Sequence, residues 1–230
     1  MPHANEGEMS ATASPADDPK WDQSSGEELA NSISHGLGLL AALAGAPILM
    51  VEAWRGGDRY FFIGAAVFTA AMLLVYLGST LYHAWPRGAM KSAFQVIDHS
   101  AIFLLIAGTY TPFTLGPLRG VWGWTILIFI WTLAIFGVVL KSIGGTQRRR
   151  ALSLALYLGM GWLILVAFHP LILHVPATAL IWLGVGGLAY TSGVFFFLSK
   201  RSRYTHFVWH LFVLLGTACH FLAVFTCASA

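Results

Sequence analysis

Three histidines, one aspartate and one serine carry the chemistry this sequence can offer. His83 closes the run Ser79-Thr80-Leu81-Tyr82-His83, and His206 and His210 bracket His206-Phe207-Val208-Trp209-His210. Residues four apart share one face of a helix. His206 and His210 therefore present two imidazoles to one point, and Ser79 lies on the face of His83. Asp98 stands apart from the other carboxylates. Of ten acidic residues, seven fall within residues 1–28, and Glu52 and Asp58 flank one short loop. An aspartate at a membrane boundary is expensive unless it is paired or functional. By itself Asp98 also reads as a helix N-terminal acid favoured by the dipole, or as one that reaches headgroup water. Three imidazoles with a fourth position left open for water are a catalytic zinc set. Neutral imidazole suits zinc, whereas an oxygen-rich site would favour magnesium or calcium. A carboxylate beside such an ion can hold the water and take its proton.

The elements that position these residues are membrane spans. The chain has 230 residues, 57% hydrophobic and only 10% charged, with a mean hydropathy of +0.70. Soluble domains run near 45–50% apolar and about 25% charged. That excludes a soluble enzyme and a nucleic-acid binder together. A span needs about 20 apolar residues, and seven runs qualify: 33–53, 60–82, 94–114, 121–140, 151–168, 177–198 and 206–227. The expected fold is an all-α seven-transmembrane helix bundle over residues 31–230. Residues 1–30 are acidic and poor in apolar side chains, which predicts a disordered tail. The tail lacks a basic start followed by an apolar core, so it does not read as a secretory signal.

Basic residues set the direction. With the tail inside, the inner loops carry Arg87, Lys91, Lys141, Arg148, Arg149, Arg150, Lys200, Arg201 and Arg203, against Arg55, Arg59 and Arg119 outside. Nine against three predicts a cytoplasmic N-terminus and an outer C-terminus. It also brings Ser79, His83, Asp98, His206 and His210 to matching depth at the cytoplasmic helix ends. Arg148-Arg149-Arg150 fits orientation and anionic-lipid contact. Trp54, Trp85, Trp122 and Trp124 sit at span ends as interfacial anchors.

The remaining histidines read as structural. Glu28, Asn31 and His35 recur at i, i+3 and i+7 and form one polar stripe, read as capping and helix packing. His99 is turned about 100° from Asp98 around the helix. His169 and His174 fall at the outer loop, where His169-Pro170 ends the fifth span, and His3 lies in the tail. His220 lies about 15 Å along the helix from His210 and reads as a satisfied core residue. Cys219 and Cys227 match no disulfide or thiolate-metal spacing and read as buried free thiols.

In combination, several segments resemble the hemolysin III family, the bacterial branch of the progestin and adipoQ receptor superfamily. They are Glu27-Glu28-Leu29-Ala30-Asn31-Ser32-Ile33-Ser34-His35-Gly36, Ser79 to Ala84, Asp98-His99-Ser100 through Thr109-Tyr110-Thr111-Pro112-Phe113, and His206 through His220. The resemblance covers about residues 27–227. It implies seven helices, a cytoplasmic N-terminus and a zinc ion held by His83, His206 and His210. The wider group is similar to alkaline ceramidases. That likeness implies that Asp98 orients or deprotonates the zinc water and that Ser79 holds the substrate carbonyl. The acidic tail is the one feature the resemblance does not explain.

Three functions follow as expectations. The first is an intramembrane zinc-dependent hydrolase of a lipid amide or ester, with membrane lipids as partners and substrate. The second is a receptor-like or membrane-homeostasis protein with a structural zinc. The third is a hemolysin-type cytolytic protein. It ranks last because a pore needs a polar stripe along several spans, and here the polar residues cluster at one end.

Overall fold

The computed structural model describes residues 23–144, 150–199 and 203–229. Among the described residues, seven helical spans of 22 to 31 residues are long and apolar enough to cross a membrane. At 1.5 Å per residue even the shortest is about 33 Å long, which matches a hydrocarbon core of about 30 Å. The spans are α1 (Ser25–Arg55), α2 (Arg59–Ala84), α3 (Ala89–Leu115), α4 (Val121–Gly144), α5 (Arg150–Trp162) continued by α6 (Phe168–His174), α7 (Ala177–Leu198) and α8 (Thr205–Ala228). The tail over residues 1–22 and the basic residues Arg148, Arg149, Lys200 and Arg201 lie outside the described residues.

Two boundaries differ most from the hydropathy reading. Helix α1 begins at Ser25, so residues 25–30, assigned to the tail from sequence, are helical. The cause is a capping box: Ser24 Oγ accepts from Glu27 N, and the Glu27 carboxylate accepts from Ser24 N at 3.0 Å. Such a cap satisfies orphan amides at no hydrophobic cost, so the helix starts well before its apolar run. The fifth span does not stop at His169-Pro170. It runs to His174 through a 3-10 turn at Leu163–Ala167. Pro170 sits in the first turn of α6, where no intrahelical N–H is needed.

That turn would strand backbone groups at membrane depth, where each unsatisfied group is costly. Tyr110 of α3 repairs it. Its hydroxyl donates to Met160 O at 2.7 Å and accepts from Ile164 N at 2.9 Å. A second buried knot ties α7 to α8, where Tyr190 and Thr217 share a 2.7 Å hydroxyl contact.

Helix packing is uneven. Helix α2 lies between α1 and α3, α4 follows α3, and α8 lies between α1 and α7. The tightest seam is α2–α3. A Cβ on Gly64 would stand 2.5 Å from Pro112 Cα, so only glycine admits this approach. Span five is held loosely by comparison. Along its seam with α3, α7 and α8 runs an open crevice. Leu, Ile, Val and Phe side chains face outward around the bundle (Phe195 is 74% exposed), and Trp54, Trp85, Trp122 and Trp124 stay exposed at helix ends. A lipid surround accounts for both.

Candidate metal centre

The last turn of α2 and the first two turns of α8 meet at one end of the bundle. They bring His83, His206 and His210 together. One ring nitrogen from each lies within 4.8 Å of the other two, the one such group of three among the described residues that could hold a metal ion. His83 and His210 are buried, and His206 is partly covered. A tetrahedral ion with bonds of about 2.0–2.1 Å sets its ligand nitrogens roughly 3.4 Å apart. Small side-chain rotations close that difference.

The donor set fits a metal on a second count. His83 Nε2 and His206 Nε2 are buried and have no hydrogen-bond partner. Buried polar atoms are rarely left so. The other ring nitrogen of His83 is accounted for: Nδ1 lies 2.7 Å from Glu28 Oε2. Glu28 also pairs with Lys91 at 3.0 Å, which marks it as an ionised acceptor. His83 Nδ1 is therefore the protonated nitrogen, and Nε2 carries the lone pair. His210 Nδ1 lies 3.4 Å from Ser34 Oγ, whose own proton goes to Asn31 O at 2.9 Å. This again leaves Nε2 for the cluster. Carboxylate or hydroxyl partners that orient ligating imidazoles are the usual surroundings of a histidine metal site.

Asp98 is not one of those three ligands; it packs against α2 at Gly78, about one turn before His83. It is 9% exposed, and Ser79, fully buried, faces it across the close α2–α3 contact at Gly78. Ser79 Oγ completes no hydrogen bond of good geometry. His99 donates Nδ1–H to Gln95 O at 2.8 Å and is 3.6 Å from Asp98 Oδ2, too far for a hydrogen bond. Tyr157 reaches the same neighbourhood from α5, with its hydroxyl on His99 O at 2.7 Å. The arrangement is three imidazoles with no fourth protein ligand among the described residues, next to a buried carboxylate and hydroxyl.

Several sequence readings need correction. The Glu28–Asn31–His35 stripe packs between helices as expected, but it is not the cap, since Ser24 and Glu27 do the capping. It lines the cluster instead. Glu28 holds His83, Asn31 and His35 are buried, and the His35 ring stacks on His210 with centroids 3.7 Å apart. Lys91 and Lys141, counted as loop charges, are both 2% exposed within their helices. His220 is not fully satisfied, because its Nδ1 is buried without a partner. The missed signal for Glu28 was positional: it shares a face with His35, close to the depth of His83.

A multi-pass helical membrane protein with a buried three-histidine cluster is the class that fold and site define. Residues 23–221 match the family described as haemolysin-III related, and the chain belongs to it. It is 42% identical over 198 residues to a Hemolysin-3 homolog of Bacillus subtilis (strain 168), covering 86% of this chain and 92% of that protein. It is 43% identical over 198 residues to Hemolysin-3 of Bacillus cereus, covering 86% and 90%. The human Monocyte to macrophage differentiation factor is 28% identical over 211 residues, covering 86% and 83%. No solved structure matches the chain. The bacterial relatives and the spans together support a bacterial membrane location.

Proposed function

We propose that this protein is a zinc-dependent hydrolase acting on a lipid amide or ester, with a ceramidase-like division of roles. The observation that carries the reading is the open three-histidine cluster beside the buried Asp98 and Ser79. His83, His206 and His210 would hold the ion. A bound zinc supplies a water of lowered pKa and polarises a carbonyl. Asp98 would take up the proton released as water attacks the carbonyl carbon and return it to the amine or alcohol that leaves as the C–N or C–O bond breaks. Ser79 Oγ donates to the carbonyl oxygen as charge develops there, a placement that is effective in a dry site.

The crevice supports a lipid substrate. Its walls include Val75, Ile102 and Val213. These lie one helical turn deeper than Ser79, Asp98 and His210. Phe197 and Trp209, beside the His206 ring or adjoining the cluster in sequence, continue the wall. A chain lying there would place its polar end at the histidines. The basic residues favour the N-terminus and the site on the cytoplasmic side of the inner membrane.

One observation favours a structural zinc instead. Helices α2 and α8 touch little, and the histidine cluster joins them, so an ion would act as a clamp. Lysis of cells, which the relatives' names suggest, has weaker support, because the crevice walls are overwhelmingly apolar. The deciding experiment incubates zinc-loaded protein with long-chain lipid amides and esters, alongside Asp98→Asn. Hydrolysis that falls about 10²–10⁴-fold in the variant, with zinc retained, is the expected result. Zinc bound without any hydrolysis across the panel selects the clamp.

A further inference from the structure

The geometry points to Glu28 as a positioning residue for the metal centre, held in register by a buried lysine. This inference rests on the metal-site reading above. Glu28 lies in the first turn of α1 and touches elements that sequence alone keeps apart. Each carboxylate oxygen has its own partner: Oε2 receives His83 Nδ1–H at 2.7 Å, and Oε1 receives Lys91 Nζ at 3.0 Å. Lys91 is 2% exposed and also donates to Tyr82 O at 2.8 Å and Trp85 O at 3.2 Å. Those carbonyls belong to the C-terminal end of α2, where helices leave acceptors without intrahelical partners. One lysine therefore closes the end of the helix that carries His83 and fixes the carboxylate that aims the His83 ring.

The consequence is specific. With both oxygens committed, Glu28 has one rotamer, and the His83 ring has one orientation, with Nε2 toward His206 and His210. Loss of the carboxylate frees the ring to rotate. Metal affinity then falls, because the ordering of His83 must occur on binding. Partners of ligating histidines typically contribute 10–100-fold in affinity. Neighbouring Glu27 supplies an internal control. It caps α1 through Ser24 and accepts from Tyr204 N at 2.9 Å, bridging α1 to α8 without touching a ligand histidine. Both glutamates hold the same helix end, and only Glu28 acts on the site.

The test is zinc affinity by chelator competition on the full-length purified protein, together with melting of the zinc-free form. Glu28→Gln should bind zinc about 10–100-fold more weakly. Glu27→Gln should lower the melting temperature yet keep the native zinc affinity. Lys91→Met leaves the carboxylate but frees one of its oxygens, so it should show a smaller loss of the same sign. It also stands in if Glu28→Gln fails to fold. Native affinity in Glu28→Gln, or an equal loss in Glu27→Gln, overturns the inference while leaving the metal centre standing. An unchanged chain that takes up no zinc overturns both.

Discussion

The end of the bundle where α1 begins and the seam along span five are built on opposite plans. At the first, polar groups are tied by directional contacts: Glu28 to His83 and Lys91, Ser34 to Asn31 and His210, Glu27 to Ser24 and Tyr204. His83 Nε2 and His206 Nε2 are left unpaired there, on two of the three clustered histidines. Along the seam the walls are apolar and a crevice remains. Directional bonds hold the histidine end in one geometry, while weak, non-directional packing leaves the seam open. Rigidity where orientation matters and looseness where shape must vary is the division that the proposed lipid hydrolase would need.

That contrast can be broken in measurable ways. The largest effect belongs to the histidines. In His206→Ala with His210→Ala, zinc should fall from about one ion per chain to near none, because one imidazole cannot hold the ion. Elemental analysis of detergent-purified protein reads this directly. Retained zinc in that variant would place the ion elsewhere. Glu28→Gln comes next, with its 10–100-fold loss.

Filling the crevice probes the other plan. Val194→Trp projects bulk into it and should lower kcat/KM for long-chain substrates about tenfold, the scale of a crowded hydrophobic pocket. Zinc content should not change, and a short-chain ester should be less affected. Equal losses on both substrates would detach the crevice from substrate binding. The smallest effect is at the turn in span five. Tyr110→Phe removes the hydroxyl that serves Met160 O and Ile164 N. It should cost about 1–3 kcal/mol, seen as a melting temperature lower by several degrees with zinc affinity unchanged.

Much of the fold was legible in the sequence because the bilayer imposes a simple rule of length and polarity. The run 177–198 coincides with α7, and 206–227 is within a residue of α8 at each end. Errors came where local chemistry overrode hydropathy. The Ser24–Glu27 cap lengthened α1, and Tyr110 allowed span five to continue through a turn that hydropathy took for its end. The i, i+4 spacing placed His206 and His210 on one face. Their meeting with His83, more than 120 residues earlier, was an inference from matched depth, and the structure supplies the distance.

The sequence by itself determined the class of solvent, the number of spans and which polar residues were too costly to be incidental. Those follow from composition and from helix periodicity, which are local. Only the tertiary structure decided what each polar residue faces. Glu28 reads as one member of a capping and packing stripe until α1 is laid against α2 and α3, and Lys91 reads as a loop charge until it is found buried beneath it. The ligand group that the fold assembles is His83, His206 and His210, and Asp98 faces Ser79 across the α2–α3 contact. Facing is set by how helices rotate and pack against one another, a collective property of side-chain shape along whole interfaces, and no single segment encodes it.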